Sequence, residues 1–254
     1  MLQNDPRHFE PAYESGVYPY AKYKYGRIVD SNDLTCISGI GPAKEKRLHD
    51  QGIFTLKDAM KKLHRDSKIA KQASALVKKT PVFEAQCKKM PSADELLFLD
   101  IESVGSHMGV FMIGMLEGKT GEYTSLVDNS ERRLAAKFKK HMRGVSGHIW
   151  HWSNYDSINM KRMGCTHMNK MHDMLKFVKD NCYLPLTTYS IKDVSAYCGF
   201  HGYEKTDITG MDCGILWNLY MNGKDQGILK EIEKYNRTDC QAMISVLNWF
   251  NSKV

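Results

Sequence analysis

The chain has 254 residues and a formal net charge of +7 at pH 7, and its composition is that of a globular protein with room for one large domain or two smaller ones. Its apolar runs are interrupted by charge or glycine before they reach the ~20 residues of a membrane span, and the N-terminus has no apolar signal core. Seven cysteines without a Cys-x-x-Cys pair predict reduced thiols, so we expect an intracellular protein with no membrane partner and no zinc site.

Residues 1–30 are predicted to form a tyrosine-rich N-terminal arm. In the stretch YPYAKYKYG, tyrosines are interleaved with lysines. Such a pattern could stack on bases and neutralise phosphates. Packing of the rings on the body of the protein is the more common explanation, and we favour it.

Residues 31–91 are predicted to form a small all-α module. The stretch LTCISGIGPAKEKRLHDQGIFTLKDA indicates two short helices joined by Gly39-Ile40-Gly41. Glycines permit positive φ and a close backbone approach, and Pro42 suits the first turn of a helix. The amides at such a helix start can bind an anion.

This pattern resembles the helix-hairpin-helix motif, in which the Gly-x-Gly turn binds a DNA backbone phosphate without reading sequence. Both glycines, Ala43, Leu48 and the GI-x-T ending carry the resemblance. It implies phosphate contacts by four residues: Gly39, Ile40, Gly41 and Lys44. A helical hairpin used only for packing or protein contact is the alternative.

The segment from Lys57 to Lys89 is strongly basic, with ten lysines and arginines against three acids. This charge is compatible with a phosphate-facing surface and also with a solvated helical face. The neighbouring glycine turn favours nucleic acid.

Residues 92–254 are predicted to form an α/β domain. From Leu96 the pattern changes to strands, in LLFLDIE, GVFMIGMLEG and GEYTSLV, followed by a helix in SERRLAAKFKKHM, a strand in GHIWHW and several helices. Antiparallel strands followed by strands alternating with helices predict a sheet with helices packed on it.

Four acids and a tyrosine are the candidate site residues of this domain. Asp100 and Glu102 lie two apart in the first strand, so their side chains share a face. Two buried acids repel each other, and a divalent cation is the simplest compensation, although a strand end open to solvent is the alternative. Downstream, Asp156 follows a strand at the start of a helix. Tyr235 and Asp239 are four apart on a predicted helix and therefore share a face.

The hydrophobic-Asp-x-Glu strand, the Asn-Tyr-Asp and the terminal Tyr-x-x-x-Asp resemble the motifs of the DEDD 3′-to-5′ exonucleases, in the branch with tyrosine. The stretches FMIGMLEGKTGEYTSLVDNSERRLAAKF, TTYSIKDVSAYCGF and EKYNRTDCQAM are similar to the YprB-type RNase H-like exonuclease family. The resemblance implies an RNase H-like mixed sheet flanked by helices. It also implies metal-dependent 3′-to-5′ hydrolysis of phosphodiester bonds, with single-stranded DNA favoured over RNA.

The resemblance further implies two Mg²⁺ or Mn²⁺ ions, which suit hard oxygen ligands. In this scheme Asp100 bridges both ions, and Glu102 and Asp239 complete the site of the ion that activates water. Asp156 holds the second ion, largely through water. Tyr235 orients the attacking water with its hydroxyl, because a phenol with a pKa near ~10 stays protonated.

Asn154 and Lys192 are candidate substrate contacts, although they, like Asn236, could equally bond locally. Asp173 suits a helix cap better than a role at the metal site. Two other functions stay open: a ribonuclease or structure-selective endonuclease with the same metal site, and a non-catalytic nucleic-acid-binding scaffold. We expect a cytoplasmic, nucleoid or nuclear protein with a nucleic-acid partner, and the sequence does not identify a protein partner.

Overall fold

The computed structural model describes residues 23–24, 27–28, 32–105, 109–145, 147–165, 168–205 and 208–254. The chain divides into two compact units. Unit 1 comprises Met1–Cys87 and Val178–Val194, and unit 2 comprises Lys88–Phe177 and Ser195–Val254. Most of the predicted tyrosine-rich arm lies outside the described residues. Its described part is an antiparallel pair of two-residue strands, β1 (Tyr23–Lys24) and β2 (Arg27–Ile28).

Unit 1 is built on three short helices whose starts follow local sequence signals. Pro42 occupies the first turn of the first helix, Thr55 and Asp58 form a reciprocal capping box on the second, and Ser67 caps the third. The helices are α1 (Pro42–His49), α2 (Leu56–Lys62) and α3 (Lys68–Lys78). They enclose a core that contains Leu34, Ile37, Ile40, Leu48, Ile53 and Leu56.

Residues 178–194 group with unit 1 although they are distant from it in sequence. The buried carboxamide of Gln72 donates to the Leu184 carbonyl at 2.8 Å and accepts from the Tyr189 hydroxyl at 2.9 Å. These bonds satisfy a polar side chain that would otherwise be costly to bury. One antiparallel strand pair adds to them: β3 (Val82–Phe83) with β9 (Cys182–Tyr183).

A mixed five-stranded sheet forms the centre of unit 2. Its strands are β4 (Leu96–Ser103), β5 (Val110–Glu117), β6 (Tyr123–Val127), β7 (His148–His151) and β8 (Met171–Asp173). Their order is β6-β5-β4-β7-β8, with antiparallel pairs on one side of β4 and parallel pairs on the other. The strand with the predicted acid pair is therefore the central one.

Helices flank this sheet, so the predicted α/β architecture is confirmed. Those wholly within unit 2 are α4 (Glu131–His141), α5 (Asn154–Arg162), α8 (Gly210–Gly223) and α9 (Gln226–Lys253), whereas α6 (Met174–Asn181) and α7 (Ile191–Tyr197) each contain residues of both units. One core cluster joins Leu99 and Ile101 of β4 to Phe138 of α4 and Met160 of α5. A second cluster joins β5 to α8 and α9, which brings α9 next to β4.

The seven cysteines are free thiols, in agreement with the expectation from their spacing. Five of them are buried and act as small apolar residues. Among the described helices, none is both long enough and apolar enough to cross a membrane.

Candidate metal centre

Three carboxylates from two elements meet beside the central strand. Asp100 and Glu102 come from β4 and Asp239 comes from α9, and one oxygen of each lies within 4.8 Å of the others. Alternation along β4 puts the first two on one face, and α9 packs against this strand. Glu102 and Asp239 are buried, whereas Asp100 keeps partial exposure. The structure thus brings together three of the four acids that the sequence singled out.

The surroundings of these acids oppose their ionisation. Burial is the largest cause of the raised pKa of Asp100 and of Glu102, and the charge of Asp239 is the next. The pKa of Glu102 rises to about 8, and that of Asp100 lies well above its usual range. A cluster of acids with raised pKa values favours a bound cation, because the cation stabilises the ionised carboxylates.

Asn236, which the sequence left open, bonds to both acids of the strand. Its side chain is buried, and Nδ2 donates to Asp100 Oδ2 at 2.7 Å and to Glu102 Oε1 at 3.2 Å. The Tyr123 hydroxyl donates to Asn236 Oδ1 at 2.9 Å. Because the oxygen of the carboxamide accepts this bond, its NH₂ group must face the two acids. Asn236 therefore holds the two carboxylates in one arrangement.

Gly114 provides the space for this amide. It lies opposite Asp100 in the pairing of β5 with β4. A Cβ atom at this position would lie 1.6 Å from Asn236 Oδ1, which is far inside the contact distance of the two atoms. A glycine in a strand interior often marks such a close approach. Here the approaching group is the side chain that orients the acids.

Tyr203 is a residue of the site that sequence reasoning missed. It lies in a 3₁₀ turn (Gly202–Lys205), and its hydroxyl donates to Asp239 Oδ1. Burial, and then the charge of Asp239, raise the pKa of Tyr203, so its hydroxyl stays protonated as a donor. No periodicity or motif connects this turn with Asp239 along the chain, so the sequence carried no signal for the pair.

Tyr235 lies beside Asp239, one turn earlier on α9. It is buried in the apolar cluster with Phe111, Met112 and Cys213. Burial, and then the charge of Asp239, raise the pKa of Tyr235. Its hydroxyl is therefore a hydrogen-bond donor at neutral pH and a poor base.

Asp156 is close to the three acids but does not belong to the group that could share one ion among the described residues. Asp156 is the third residue of α5, and its side chain is buried. It accepts a hydrogen bond from the backbone N–H of Ile101, the residue between Asp100 and Glu102 on β4. Burial raises the pKa of Asp156, whereas the bond from Ile101 opposes this rise. His151 Nδ1 lies 3.7 Å from its Oδ2, and burial lowers the pKa of that imidazole.

The two other candidate contacts of the C-terminal half lie on different elements. Asn154 is the exposed first residue of α5, two positions before Asp156. Lys192 is half-buried on α7, in the part of the chain that groups with unit 1. Asn154 is therefore close to Asp156 in the sequence of α5, whereas Lys192 lies on a helix that carries none of the four candidate acids.

The predicted anion site of unit 1 lies immediately before α1. Gly39 is exposed with φ of +82°, a conformation that favours glycine. The Ile40 side chain is buried, and its N–H donates to the Ile37 carbonyl at 3.1 Å. Gly41 caps the helix, and Lys44 is exposed in its first turn. Ile40, one of the four residues predicted to contact phosphate, thus shapes the turn by packing its side chain in the core of unit 1.

A family model described as RNase_H superfamily matches residues 97–251, which is more than half of the chain. The chain belongs to the RNase H superfamily. All three clustered acids, Asp156 and Tyr235 lie within the matched span. No curated protein and no solved structure matches the chain significantly.

Membership of the RNase H superfamily makes this protein a nuclease-type phosphodiester hydrolase with a nucleic-acid substrate. Nucleases of this superfamily use divalent metal ions, and the oxygen ligands of Asp100, Glu102 and Asp239 fit such an ion. The donor set, its burial and its raised pKa values agree with this chemistry.

We expect metal binding at this centre to release protons. With the pKa of Glu102 at about 8 and that of Asp100 also raised, the centre without metal is partly protonated at neutral pH. Ligation requires carboxylates, so the Mn²⁺ affinity should rise as pH increases through this range. Calorimetric titration in two buffers of different ionisation enthalpy measures the released protons. Equal heats in both buffers would contradict this expectation.

The raised pKa of Glu102 also determines how the free energy of unfolding depends on pH when EDTA removes the metal. The folded-state pKa of Glu102 is about 8 against an ordinary value of 4.5, so between these values the folded state binds more protons than the unfolded state. The contribution of Glu102 to the free energy of unfolding therefore falls as pH rises through this window. The melting temperature in EDTA should decrease on going from pH 6 to pH 8, and Mn²⁺ should reverse the decrease.

Asn236→Ala should lower the Mn²⁺ affinity about 10- to 100-fold, the usual effect of losing a residue that orients metal ligands. The substitution removes the donor shared by Asp100 and Glu102, so the two acids lose their fixed arrangement. Titration calorimetry at constant pH measures the affinity, and circular dichroism checks the fold.

Asn251→Ala is the matched control, because this asparagine of α9 bonds to the backbone of Met90 and not to the acids. Gly114→Ala should reproduce the loss of affinity, since the added methyl group displaces the Asn236 amide. Wild-type affinity in both Asn236→Ala and Gly114→Ala would show that the amide does not set the geometry of the acids.

Proposed function

We propose that this protein is a metal-dependent 3′-to-5′ exonuclease that acts on single-stranded DNA. The observation that carries the proposal is the buried cluster of Asp100, Glu102 and Asp239, with Asp156 and Tyr235 beside it. This is the set of residues, in the same order along the chain, that the DEDD exonucleases with tyrosine use.

Asp100, Glu102, Asp156 and Asp239 would hold two Mg²⁺ or Mn²⁺ ions. Bound there, the ions would supply the charge that activates water and stabilises the leaving oxygen. Asn236 keeps the strand acids in position, and the Tyr235 hydroxyl would orient the attacking water as a donor. Burial of the cluster keeps bulk water from screening these interactions.

Unit 1 would add a contact that is independent of sequence. The exposed Gly39, the helix start at Gly41 and the ammonium group of Lys44 support binding of a DNA phosphate. The basic segment from Lys57 to Lys89 follows, on the same unit except for its last two lysines, and would extend this electrostatic contact.

Asp100→Asn or Asp239→Asn should reduce hydrolysis by on the order of 10³-fold, because a metal ligand that contributes several kcal/mol to the transition state is removed. The fold should persist, since removing one acid relieves repulsion among the others. Asp94→Asn, an exposed acid just before β4, is the control. Near wild-type turnover in either ligand variant would contradict the proposed site.

The substrate tests use 5′-labelled single-stranded DNA and RNA of matched sequence, with free or blocked 3′ ends, in Mg²⁺, Mn²⁺ or EDTA. A ladder that shortens from the 3′ end, and that a 3′ block abolishes, is expected for DNA. Internal cuts in blocked substrates would instead assign an endonuclease, and cleavage of RNA alone would assign a ribonuclease.

Lys44→Gln in the full chain should weaken binding to a 3′-ended oligonucleotide and leave turnover unchanged. For every phosphate that the protein no longer neutralises, the slope of log K against log salt should become shallower by about 0.7 to 0.9. Lys46→Gln removes an equal charge from the same helix and serves as control. Identical slopes for the two variants would mean that the turn before α1 does not hold phosphate.

A further inference from the structure

A groove in unit 2 runs along one face of α9. Its volume is about 580 Å³, and its lining includes Phe200, Gly202, Lys234, Arg237, Thr238 and Gln241. The α9 residues among these recur every three or four positions, so they form one face of the helix. Two of the lining residues are cations and none is an acid. The groove is thus a local site of positive charge.

The groove is connected to the acid cluster through Tyr203. Gly202 and Thr238 line the groove, and the residues that follow them, Tyr203 and Asp239, are joined by a hydrogen bond. Successive residues of a helix project about 100° apart, so the Asp239 side chain points away from the groove face of α9. A ligand in the groove would therefore contact the turn that bonds to Asp239 and not the acids themselves.

The cations of the groove are arranged to bind phosphate. Lys234 and Arg237 are exposed and lie one turn apart on α9. The Arg237 guanidinium lies over the Tyr123 ring, 5.9 Å from its centroid. This cation–π contact helps to orient the guanidinium and leaves N–H donors for oxygen acceptors, which is how arginine recognises phosphate.

Phe200 adds an aromatic ring to the same groove. The ring is half-buried and meets the Tyr203 ring edge to face, with centroids 5.6 Å apart and an interplanar angle of 84°. Packing thus holds the ring in place beside the two cations. A fixed aromatic ring next to a basic track is the combination that binds single strands, because the ring stacks on a base. A base can stack in this way only when it is not paired in a duplex.

We propose that this groove binds the single-stranded substrate, with a base on Phe200 and a backbone phosphate between Lys234 and Arg237. The ligand class is single-stranded nucleic acid, recognised without regard to base identity. This inference rests on the proposed nuclease function, which makes a nucleic-acid strand the substrate of this protein.

The test measures the anisotropy of fluorescein-labelled oligothymidylate in EDTA across a salt series, so that binding is separated from metal-dependent hydrolysis. Every variant is made in the Lys44→Gln background, which reduces the contact proposed for unit 1. Lys234→Gln with Arg237→Gln should weaken binding and make the salt slope shallower by about 0.7 for each phosphate that is no longer neutralised. Lys230→Gln, an exposed lysine of α9 outside the groove lining, is the control.

The aromatic contact is tested in the same assay. Phe200→Leu should weaken binding by about 5- to 150-fold, the range that corresponds to loss of one stacked base. Phe200→Trp should keep the affinity, because it restores a ring. The Mn²⁺ affinity of all groove variants should equal that of the wild type, because none of the replaced residues is a proposed ligand.

Unchanged affinity and slope in the double variant, compared with Lys230→Gln, would overturn the proposal. Equal binding by Phe200→Leu and Phe200→Trp would also overturn it, because no base would then stack there. Oligoglutamate is the competitor in a displacement assay. If it binds more tightly than the oligonucleotide and also requires Lys234 and Arg237, the groove would be reassigned to an acidic peptide. If Asp100→Asn hydrolyses normally while groove variants lose binding, the proposed acid site fails and the groove assignment stands.

Discussion

Repulsion among the clustered carboxylates is the constraint on which the site depends. Moving a carboxylate out of water costs several kcal/mol, and three of them within 4.8 Å add to this cost. The protein meets it by protonation, since the pKa of Glu102 rises to about 8, and by hydrogen bonds from Asn236 and Tyr203. Both donors are neutral side chains. The acids therefore stay available to a divalent cation, which a lysine or arginine in the same place would exclude.

The bonds from Asn236 to the two strand acids depend on three strands and one helix. Asn236 comes from α9, its orientation is set by Tyr123 on β6, and its space is provided by Gly114 on β5. The acids that it contacts lie on β4, the next strand. The neighbouring positions of β6, β5 and β4 in the sheet are thus required by the site. A substitution at Gly114 would act on the metal centre although no carboxylate is altered.

The sequence could predict the parts of the site that follow from periodicity. Alternation along β4 put Asp100 and Glu102 on one face, and the helical spacing of Tyr235 and Asp239 put these two together. The hydrogen-bond partners of Asn236 could not be predicted from periodicity, because they lie on strands that are far from α9 in the sequence. Tyr203 gave no signal either, since a short turn has no periodicity. The grouping of residues 178–194 with unit 1 depends on contacts across the chain, such as that of Gln72 with Leu184.

The two tyrosines beside Asp239 share one property, a raised pKa. Burial raises the pKa of both, so each remains a donor at neutral pH and neither can serve as the base that deprotonates water. Tyr203 bonds to Oδ1 of Asp239 and so orients this carboxylate, as hydrogen bonds to metal-ligating carboxylates generally do. The Phe200 ring packs against Tyr203. A base that stacks on Phe200 would therefore contact a ring that packs against the residue that orients Asp239, which would couple substrate binding to the geometry of the metal centre.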